Sequence, residues 1–307
     1  MNYKLKNGGI KKMSIQRVKG DIYHFNVLNK ILEEGYLDEN PRPHYSDGTP
    51  AHTLSVNHIL QQYDVNAGEC PVETFRPIAW KSAVKEILWI YQMQSNKIDD
   101  LHNLGIKYWD DWNIGDGTIG CRYGATVKRH NLINNLLDGL EKDPFGRRHI
   151  MSLWQEDDFH DATGGTDKGL NPCCYETIWN VRRGKDGHLY LDMLLNQRSS
   201  DYETSCAINE LQYVALMLMV AKHCGYKPGV FSHMIENAQI YDRHISTIKK
   251  LLQRQSILFD AEKMPELKLN THKKNFFEFS IEDFEMVNYP LEDIKEKNPQ
   301  VKFDLGI

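Results

Sequence analysis

The chain has 307 residues, of which 41% are hydrophobic and 10% aromatic, and this composition excludes a disordered protein because it supplies enough apolar surface for a core. A net charge of −5 with both signs interspersed excludes the broad basic surface of a typical nucleic-acid binder, so we expect no DNA partner. The six cysteines form no Cys-X-X-Cys pair and no secreted-scaffold spacing, which disfavours disulfides and a zinc site built from cysteines.

The N-terminal residues are basic, but no apolar stretch follows them, so they do not form a signal peptide. We predict a flexible segment over residues 1–20 and one folded catalytic domain over 21–307. No apolar run is expected to reach the length that crosses a bilayer, so we expect a soluble cytoplasmic protein without a membrane partner.

Helices and strands are interleaved along the chain without a regular βαβ repeat. Apolar residues spaced by three and four indicate the helices, whereas alternation or short continuous apolar runs indicate the strands. In chain order we predict a helix over 26–34 that ends at Gly35, a loop over 40–50, a strand that includes Leu54, Val56 and Ile59, helices over 79–94 and 132–140, strands over 148–154, 177–181 and 189–195, a helix over 210–223 that ends at Gly225, and short strands before a helix-poor tail. No linker marks a boundary, so the sequence predicts one α+β domain.

The most informative segment is Asn171-Pro172-Cys173-Cys174-Tyr175. A lone cysteine beside a proline is more often structural than catalytic. The arginines elsewhere in the chain favour a catalytic role over a structural one, with Cys173 as the nucleophile.

Four arginines recur at predicted loop or strand edges: Arg42, the pair Arg147-Arg148, and Arg198, which is followed by Ser199. Each one alone is a solvated surface charge by default, but together they supply the forked donors that a phosphate monoester needs. A thiol in such a basic site is expected to have a lowered pKa, which increases the thiolate fraction.

Seven short motifs occur in a specific order and spacing: DGTPAHTLS (47–55), KSAVKEILWIYQ (81–92), YWDDW (108–112), DGTIGCRYG (116–124), DPFGRRHI (143–150), NPCCYET (171–177) and QRSSD (197–201). With them the chain resembles the thymidylate synthase family from about Phe25 to Ile307, and it is similar to a divergent bacterial branch of that family. The resemblance implies a large, twisted mixed β-sheet flanked by helices, and a homodimer whose subunits pack sheet against sheet.

The resemblance also implies the reductive methylation of dUMP to dTMP, with 5,10-methylenetetrahydrofolate as the one-carbon and hydride donor and dihydrofolate as the second product. Cys173 matches the nucleophile that adds to C6 of the uracil ring, which gives C5 the enolate character needed to attack the methylene carbon. These steps require no metal, and the histidines suggest none.

Further roles follow from the same resemblance. Glu86 matches the glutamate that organises water and proton transfers, and its apolar neighbours predict a buried carboxyl with a raised pKa. Tyr123 matches the tyrosine associated with removal of the C5 proton. Asn209 matches the asparagine that reads the pyrimidine, because its amide suits N3–H and O4 of uracil, whereas a cytosine-specific relative is expected to carry an aspartate. Asp201 matches the acid that hydrogen-bonds the pterin ring.

The binding residues are assigned by resemblance alone. For dUMP they are Arg42, Arg198, Ser199, Asn209, Gln239 and Tyr241, the last of these at the 3′-hydroxyl, with Arg147 and Arg148 contributed across the dimer interface. For the folate they are Arg76, Trp109, Trp112, Asp201 and the terminal carboxylate of Ile307. Two tryptophans three residues apart are more often part of a core than of a cofactor wall.

The chain departs from the commonest family pattern in five places, one of which is its ending over residues 302–307. Residues 202–209 lack the usual leucine-glycine and proline-phenylalanine pairs, which changes the backbone freedom beside the pyrimidine. Gln239 and Cys174 each stand where a histidine is common. Residues 155–170 are longer than their usual counterpart and are predicted to form a surface loop.

Two other functions remain open from the sequence. A nucleotide hydroxymethylase would use the same thiolate and folate, but water would trap the methylene group in place of hydride. A non-catalytic nucleotide- or RNA-binding protein would retain the fold without the chemistry. The complete set of matched catalytic residues favours catalysis.

Overall fold

The computed structural model describes residues 3–6, 9–12, 15–159 and 169–306. Residues 160–168, inside the predicted surface loop, and Ile307 lie outside the described residues. In chain order the strands are Tyr3–Lys6 (β1), Gly9–Lys12 (β2), Ile15–Gln16 (β3), Tyr36–Leu37 (β4), Thr53–Asp64 (β5), His149–Ser152 (β6), Cys174–Arg183 (β7), Leu189–Gln197 (β8), Ser200–Asp201 (β9), Lys227–Tyr241 (β10), Phe259–Asp260 (β11), Glu266–Leu269 (β12) and Phe284–Val287 (β13). The segment over 1–20 contains β1 to β3, and its flexibility stays a prediction.

The helices in the described residues are Lys19–Glu34 (α1), Trp80–Ile87 (α2), Ile98–Asn103 (α3), Gly124–Arg129 (α4), Leu132–Lys142 (α5), Tyr202–Cys224 (α6), Ile245–Leu251 (α7) and Leu291–Lys297 (α8). Of these eight helices in the described residues, α1, α2, α5 and α6 overlap the predicted helices, whereas α3, α4, α7 and α8 were not predicted, the last two because the C-terminal part was expected to hold short strands and a helix-poor tail. Directly after α2 the chain continues as a π-helix over Leu88–Gln92, a wider turn that is frequent at functional sites.

One mixed sheet organises the fold. Its strand order is β4-β5-β10-β8-β7-β6, with β9 beside the end of β10. β10 runs parallel to β8 and β9, and the other neighbours are antiparallel. The predicted class, an α+β fold with a large mixed sheet and flanking helices, is confirmed.

α6 forms the centre of the core, because its apolar residues surround the helix on all sides and must be covered on all sides. It begins at Tyr202, well before the predicted start at residue 210. It ends at Gly225, whose φ of 74° is a left-handed conformation that glycine adopts without strain.

By length and composition α6 is able to cross a membrane, so the expectation that no apolar run is long enough is wrong. In the structure 67% of its most apolar window is buried inside the protein. The core helix of a soluble protein passes the same test, and the burial of α6 is consistent with that explanation.

The longest strand, β10, has 15 residues and is missing from the sequence prediction, which has only short strands in this part of the chain. Its inward positions include the fully buried His233, so the apolar alternation that indicates a strand is interrupted. β10 lies between β5 and β8 and therefore holds the two halves of the sheet together.

Four charged side chains form a buried network where α1, the segment before α2, and α6 meet. His24 Nε2 hydrogen-bonds to Glu203 and lies 3.1 Å from Glu73 Oε2. Arg76 Nε lies 3.1 Å from Glu73 Oε1 and 3.0 Å from Glu203 Oε1. Burial lowers the pKa of His24, but the two carboxylates outweigh it and raise that pKa to about 9. Burial also raises the pKa of Glu73 to about 7, so the network joins two basic groups to two carboxyl groups, of which Glu73 is the more easily protonated.

We expect the free energy of unfolding to decrease as the pH rises from about 7 to about 9. In this interval the folded chain keeps a proton on His24 that the unfolded chain releases, because the pKa of His24 is 6.5 when unfolded and about 9 when folded. The stability supplied by this proton is complete below pH 6.5 and is lost as the pH passes about 9, a loss of up to about 3 kcal/mol. Urea denaturation at fixed protein concentration measures the decrease.

His24→Gln should flatten this pH dependence, since glutamine does not titrate. His188→Gln, at an exposed turn, is the matched control and should keep the dependence. An equally steep decrease in His24→Gln would contradict the assignment of this stability to His24.

Candidate active site

Cys173 lies in the short segment that leads into β7, and an arginine holds this segment in place. Arg198, which follows β8, donates from Nε to the carbonyl of Pro172 and from Nη2 to the carbonyl of Asn171, both at 3.0 Å. The same Nη2 lies 3.6 Å from Cys173 Sγ. The backbone N–H of Arg198 donates to the carbonyl of Cys173 at 2.9 Å, so the thiol and the guanidinium are fixed relative to each other.

Burial and positive charge act on the Cys173 thiol in opposite directions. Burial raises its pKa, whereas Arg198 and Arg42 lower it, and the net change is upward. The expectation of a lowered pKa is therefore wrong: the basic neighbours are present, but desolvation outweighs them. The two arginines still increase the thiolate fraction above the value that the same burial would give without them.

The neighbouring thiol of Cys174 has a different environment. Cys174 is the first residue of β7 and is 5% exposed, and burial raises its pKa well above the usual value. A bulge between Cys174 and Glu176 bends the strand at this point. Cys173, which is less buried and contacts Arg198, is the better placed nucleophile of the two.

Tyr123 reaches the thiol segment from the start of α4. Its hydroxyl accepts a 3.3 Å hydrogen bond from the backbone N–H of Cys173, and its ring packs against Trp109. The backbone of Tyr123 has φ of 50° and ψ of −111°, which is costly for a residue with a side chain. The following Gly124 fits where a Cβ would stand 2.1 Å from the carbonyl oxygen of Ser95. This strained turn directs the tyrosine hydroxyl toward Cys173.

Glu86 projects from the last turn of α2 and is 6% exposed. Burial raises the pKa of its carboxyl, as the apolar neighbours predict, and a hydrogen bond from Tyr108 opposes the increase. Trp109 and Gln212 also lie close enough to favour the charged form. Glu86 is therefore a buried carboxyl that accepts a hydrogen bond from Tyr108, with the N–H groups of Trp109 and Gln212 close by outside hydrogen-bond geometry, and a buried carboxyl of this kind suits a proton carrier.

Asn209 lies on α6 between two glutamines. Its Oδ1 accepts from Gln197 Nε2 at 3.2 Å, and its Nδ2 donates to Gln212 Oε1 at 3.1 Å. Since Gln212 also approaches Glu86, a row of side-chain amides connects Asn209 with that carboxyl. We call Gln197, Asn209 and Gln212 the amide row.

Asp201 precedes α6 and faces the C-terminal part of the chain. Burial raises its pKa to about 6. Its Oδ1 lies 4.0 Å from Nδ1 of His244, and neither atom has a hydrogen-bond partner among the described residues. His244 Nε2 donates to the carbonyl of Asp304, and the hydroxyl of Tyr241 donates to the carbonyl of Gly306. The C-terminal segment thus folds back beside Asp201.

The remaining predicted dUMP residues lie at the ends of the same strands. Ser199 is half-buried beside Arg198, and its carbonyl accepts from Gln197 at 3.0 Å. Gln239 is half-buried on β10, opposite Asp201 of β9. Arg42 is exposed, and its charge acts on both Cys173 and Tyr241.

Arg147 and Arg148 are exposed and lie far from the thiol of their own chain. In the β6–β7 register, His149 pairs with Trp179, so the arginines lie toward the end of β7 opposite to Cys173. At about 3.3 Å per residue the separation is on the order of 20 Å or more. They cannot complete the site within one chain.

The structure contradicts the assignment of Arg76 to the folate. Arg76 is 6% exposed, and its guanidinium is committed to Glu73 and Glu203 in the buried network. Trp109 is buried in the core, and Trp112 packs against it with part of its ring exposed. Ile307 lies outside the described residues.

Among the described residues, two groups of buried side chains bring metal-ligand atoms within 4.8 Å of one another. One consists of His24, Glu73 and Glu203, and the other of Cys206, Glu210 and His233. In the first group, the guanidinium of Arg76 pairs with both carboxylates, and its charge would repel a metal ion. In the second, the ring of His233 hydrogen-bonds to Glu210, and the thiol of Cys206 donates to Gln61. Hydrogen bonds and ion pairs between these side chains explain why the atoms of both groups lie so close together.

Sequence reasoning missed several side chains that complete the site, namely Tyr108, Gln197, Gln212 and His244. Gln197 and Tyr108 belong to the matched motifs QRSSD and YWDDW, so their positions carried a signal. Gln212 and His244 belong to no quoted motif, and only the fold brings them to the site.

Comparisons with known proteins identify the family to which the chain is similar. The family model described as thymidylate synthase matches residues 22–301. The chain is 46% identical to thymidylate synthase of Lactococcus lactis subsp. cremoris over 93% of this chain and 98% of that protein, and 46% identical to that of Streptococcus pneumoniae over 94% and 99%. A solved structure, the thermostable thymidylate synthase A from Bacillus subtilis, superposes with a TM-score of 0.80 at 35% identity and covers 94% of this chain and 99% of its own.

Replacing Arg42 by methionine should slow alkylation of Cys173, because removal of a positive charge that lowers the thiol pKa leaves less thiolate. We expect the rate of iodoacetamide labelling at pH 7.5 to fall by about twofold to fivefold. Mass spectrometry of the peptide that contains Cys173 measures the rate. Arg183→Met, at the far end of β7, is the control and should label like the unchanged protein. An unaltered rate in Arg42→Met would show that its charge does not reach the thiol.

Proposed function

The chain belongs to the thymidylate synthase family, and from this premise we propose that it converts dUMP to dTMP with 5,10-methylenetetrahydrofolate, through a covalent bond between Cys173 and C6 of the uracil ring. Like its relatives it is an enzyme of the methyltransferase class, with dUMP and a folate as its substrates. The proposal rests on one observation above all: the thiol of Cys173 lies 3.6 Å from the guanidinium of Arg198.

The thiolate adds to C6 and moves the electrons of the C5=C6 bond toward C5 and the O4 carbonyl. C5 then attacks the methylene carbon of the folate, and a base removes the C5 proton. Elimination of tetrahydrofolate leaves an exocyclic methylene group, which a hydride from tetrahydrofolate converts to methyl as Cys173 departs. The products are dTMP and dihydrofolate, and no step requires a metal.

Proton transfer is the task of Glu86 and Tyr123 in this proposal. The raised pKa of Glu86 supports its use as a carrier near neutral pH. The hydroxyl of Tyr123 is 3.3 Å from the backbone nitrogen of Cys173, and this proximity supports a role in removing the C5 proton. Asn209 offers a donor and an acceptor for the uracil edge.

For the folate, the support is an unpaired buried acceptor. Oδ1 of Asp201 has no hydrogen-bond partner among the described residues, and a pterin ring offers the N–H donors that such an atom needs. We propose that Asp201 binds the pterin and that Trp112 and Trp109 form the adjoining wall. The terminal carboxylate of Ile307 would close over both substrates.

We propose a homodimer in which the sheets pack face to face. The open face of the sheet carries a cross-strand row of Ile150, Ile178 and Leu194, each directly opposite the next. Ile150 is 51% exposed, and an apolar row left in water favours association. Arg147 and Arg148 precede β6 at the edge of this face, and we propose that each pair binds the dUMP phosphate in the partner's site. As a soluble enzyme of nucleotide synthesis, the protein would act in the cytoplasm.

We expect Cys173→Ser to reduce dihydrofolate formation by at least about a thousandfold, because serine is a far weaker nucleophile than a thiolate. Cys174→Ser, the matched control, should keep most of the activity. Absorbance during incubation with dUMP and methylenetetrahydrofolate measures turnover. An active Cys173→Ser beside an inactive Cys174→Ser would overturn the nucleophile assignment, and a product with the mass of hydroxymethyl-dUMP would indicate the hydroxymethylase instead.

A second prediction follows if each active site is shared between the two subunits. Cys173→Ser and Arg148→Ala should each be nearly inactive alone, but mixed dimers should regain activity, because one of their two sites has an intact thiol and an intact arginine. Random mixing should restore about a quarter of wild-type activity. No recovery in a preparation shown to contain mixed dimers would mean that Arg148 serves the site of its own chain.

A further inference from the structure

A histidine and a glutamate lie behind the amide row, on the buried side of the sheet. His233 on β10 is fully buried, and Glu210 on α6 is 3% exposed. Nδ1 of His233 is 3.2 Å from Oε1 of Glu210, and its Nε2 is 2.8 Å from Oε1 of Gln197. Oε2 of Glu210 accepts from the hydroxyl of Tyr63 at 3.0 Å. The pair therefore connects directly to the glutamine that contacts Asn209.

One backbone carbonyl fixes the direction of the hydrogen bonds from His233 through Gln197 and Asn209 to Gln212. The carbonyl of Ser199 can only accept, so Gln197 must turn its Nε2 toward it, at 3.0 Å. Oε1 of Gln197 then faces His233, whose Nε2 must carry a hydrogen and donate it. The second hydrogen on Gln197 Nε2 goes to Oδ1 of Asn209 at 3.2 Å, which leaves Asn209 Nδ2 toward Gln212.

This direction requires a hydrogen on Nε2 of His233, and the hydrogen bond between Nδ1 of His233 and Oε1 of Glu210 requires a second hydrogen between those two atoms. Because Nε2 of His233 already carries a hydrogen, its Nδ1 either donates to an ionised Glu210 or accepts from a protonated one. Both forms hold the same number of protons, and both present an N–H to Gln197. Nε2 of His233 therefore remains a donor in both forms.

We propose that His233 and Glu210 are positioning residues that lock Asn209 in the orientation complementary to uracil, a role that rests on the proposed function. Within the amide row, Oδ1 of Asn209 keeps one lone pair and Nδ2 keeps one hydrogen. These match N3–H and O4 of uracil, whereas cytosine reverses both groups. An Asn209 amide rotated to suit cytosine would set its Nδ2 hydrogens against those of Gln197, donor against donor.

Two substitutions at His233 separate hydrogen bonding from packing. Glutamine at this position is able to place an N–H near that of the histidine, whereas phenylalanine keeps the ring and its stacking on Phe231 but has no donor. We expect His233→Phe to reduce the preference for dUMP over dCMP about tenfold, and His233→Gln to retain it within about threefold. Glu210→Gln should also retain it, because its amide donates to Nδ1 of His233.

The measurement is the dissociation constant of each nucleotide, by competition on the full-length protein after circular dichroism has shown that each variant is folded. The proposal would be overturned if His233→Phe kept the preference for dUMP over dCMP, or if this preference were stronger in His233→Phe than in His233→Gln. If His233→Phe does not fold, His233→Met replaces it, since methionine also lacks a donor and packs adaptably. Dihydrofolate formation by the unchanged protein is measured separately, and its absence overturns the proposed function. If the unchanged protein is active but the dUMP preference is the same with and without a donor at position 233, only the positioning role is overturned.

Discussion

The burial of α6 against the sheet is the constraint on which the site depends. A helix in that position can carry a polar side chain only where another element supplies its hydrogen-bond partner, because an unpaired buried polar group is costly. Glu203 has its partners on α1 and before α2, Glu210 has them on β5 and β10, and Asn209 has Gln197 at the end of β8. The contacts that allow the core helix to carry polar residues are therefore the contacts that orient the candidate active site.

The same burial determines the chemistry of the groups that face the substrates. Desolvation raises the pKa of Cys173, of Glu86 and of Asp201, so each holds its proton more firmly than it would in water. For a carboxyl that carries protons near neutral pH, this is an advantage. For a thiol that must attack as an anion it is a disadvantage, and Arg198 and Arg42 oppose it. Arg198 and Arg42, which we propose bind the phosphate, are thus also the groups that lower the pKa of the proposed nucleophile.

Much of the fold and of the site was accessible from the sequence, and the failures share a cause. The helices α1, α2, α5 and α6 show apolar spacing that one chain segment displays by itself, and the order of the motifs identified the family. Arg76 was misassigned because a sequence shows a cation without showing Glu203, which reaches it from another helix. β10 was missed because a polar residue, His233, occupies one of its buried positions. Residues that come into contact only when the chain is folded leave no pattern in the local sequence.

His233 interrupts the apolar pattern of β10 and supplies the donor behind the amide row, and these two facts have one physical explanation. Side-chain amides can rotate, so a row of them has no direction of its own, whereas the carbonyl of Ser199 can neither rotate nor donate. With Gln197 oriented by that carbonyl, its Oε1 needs a donor at the other end, and His233, held by Glu210, provides one. Oε1 of Glu210, 3.2 Å from Nδ1 of His233, holds the ring so that Nε2 faces Gln197. An unpartnered cation such as a lysine in the same place would place a net positive charge near Cys173 and Glu86.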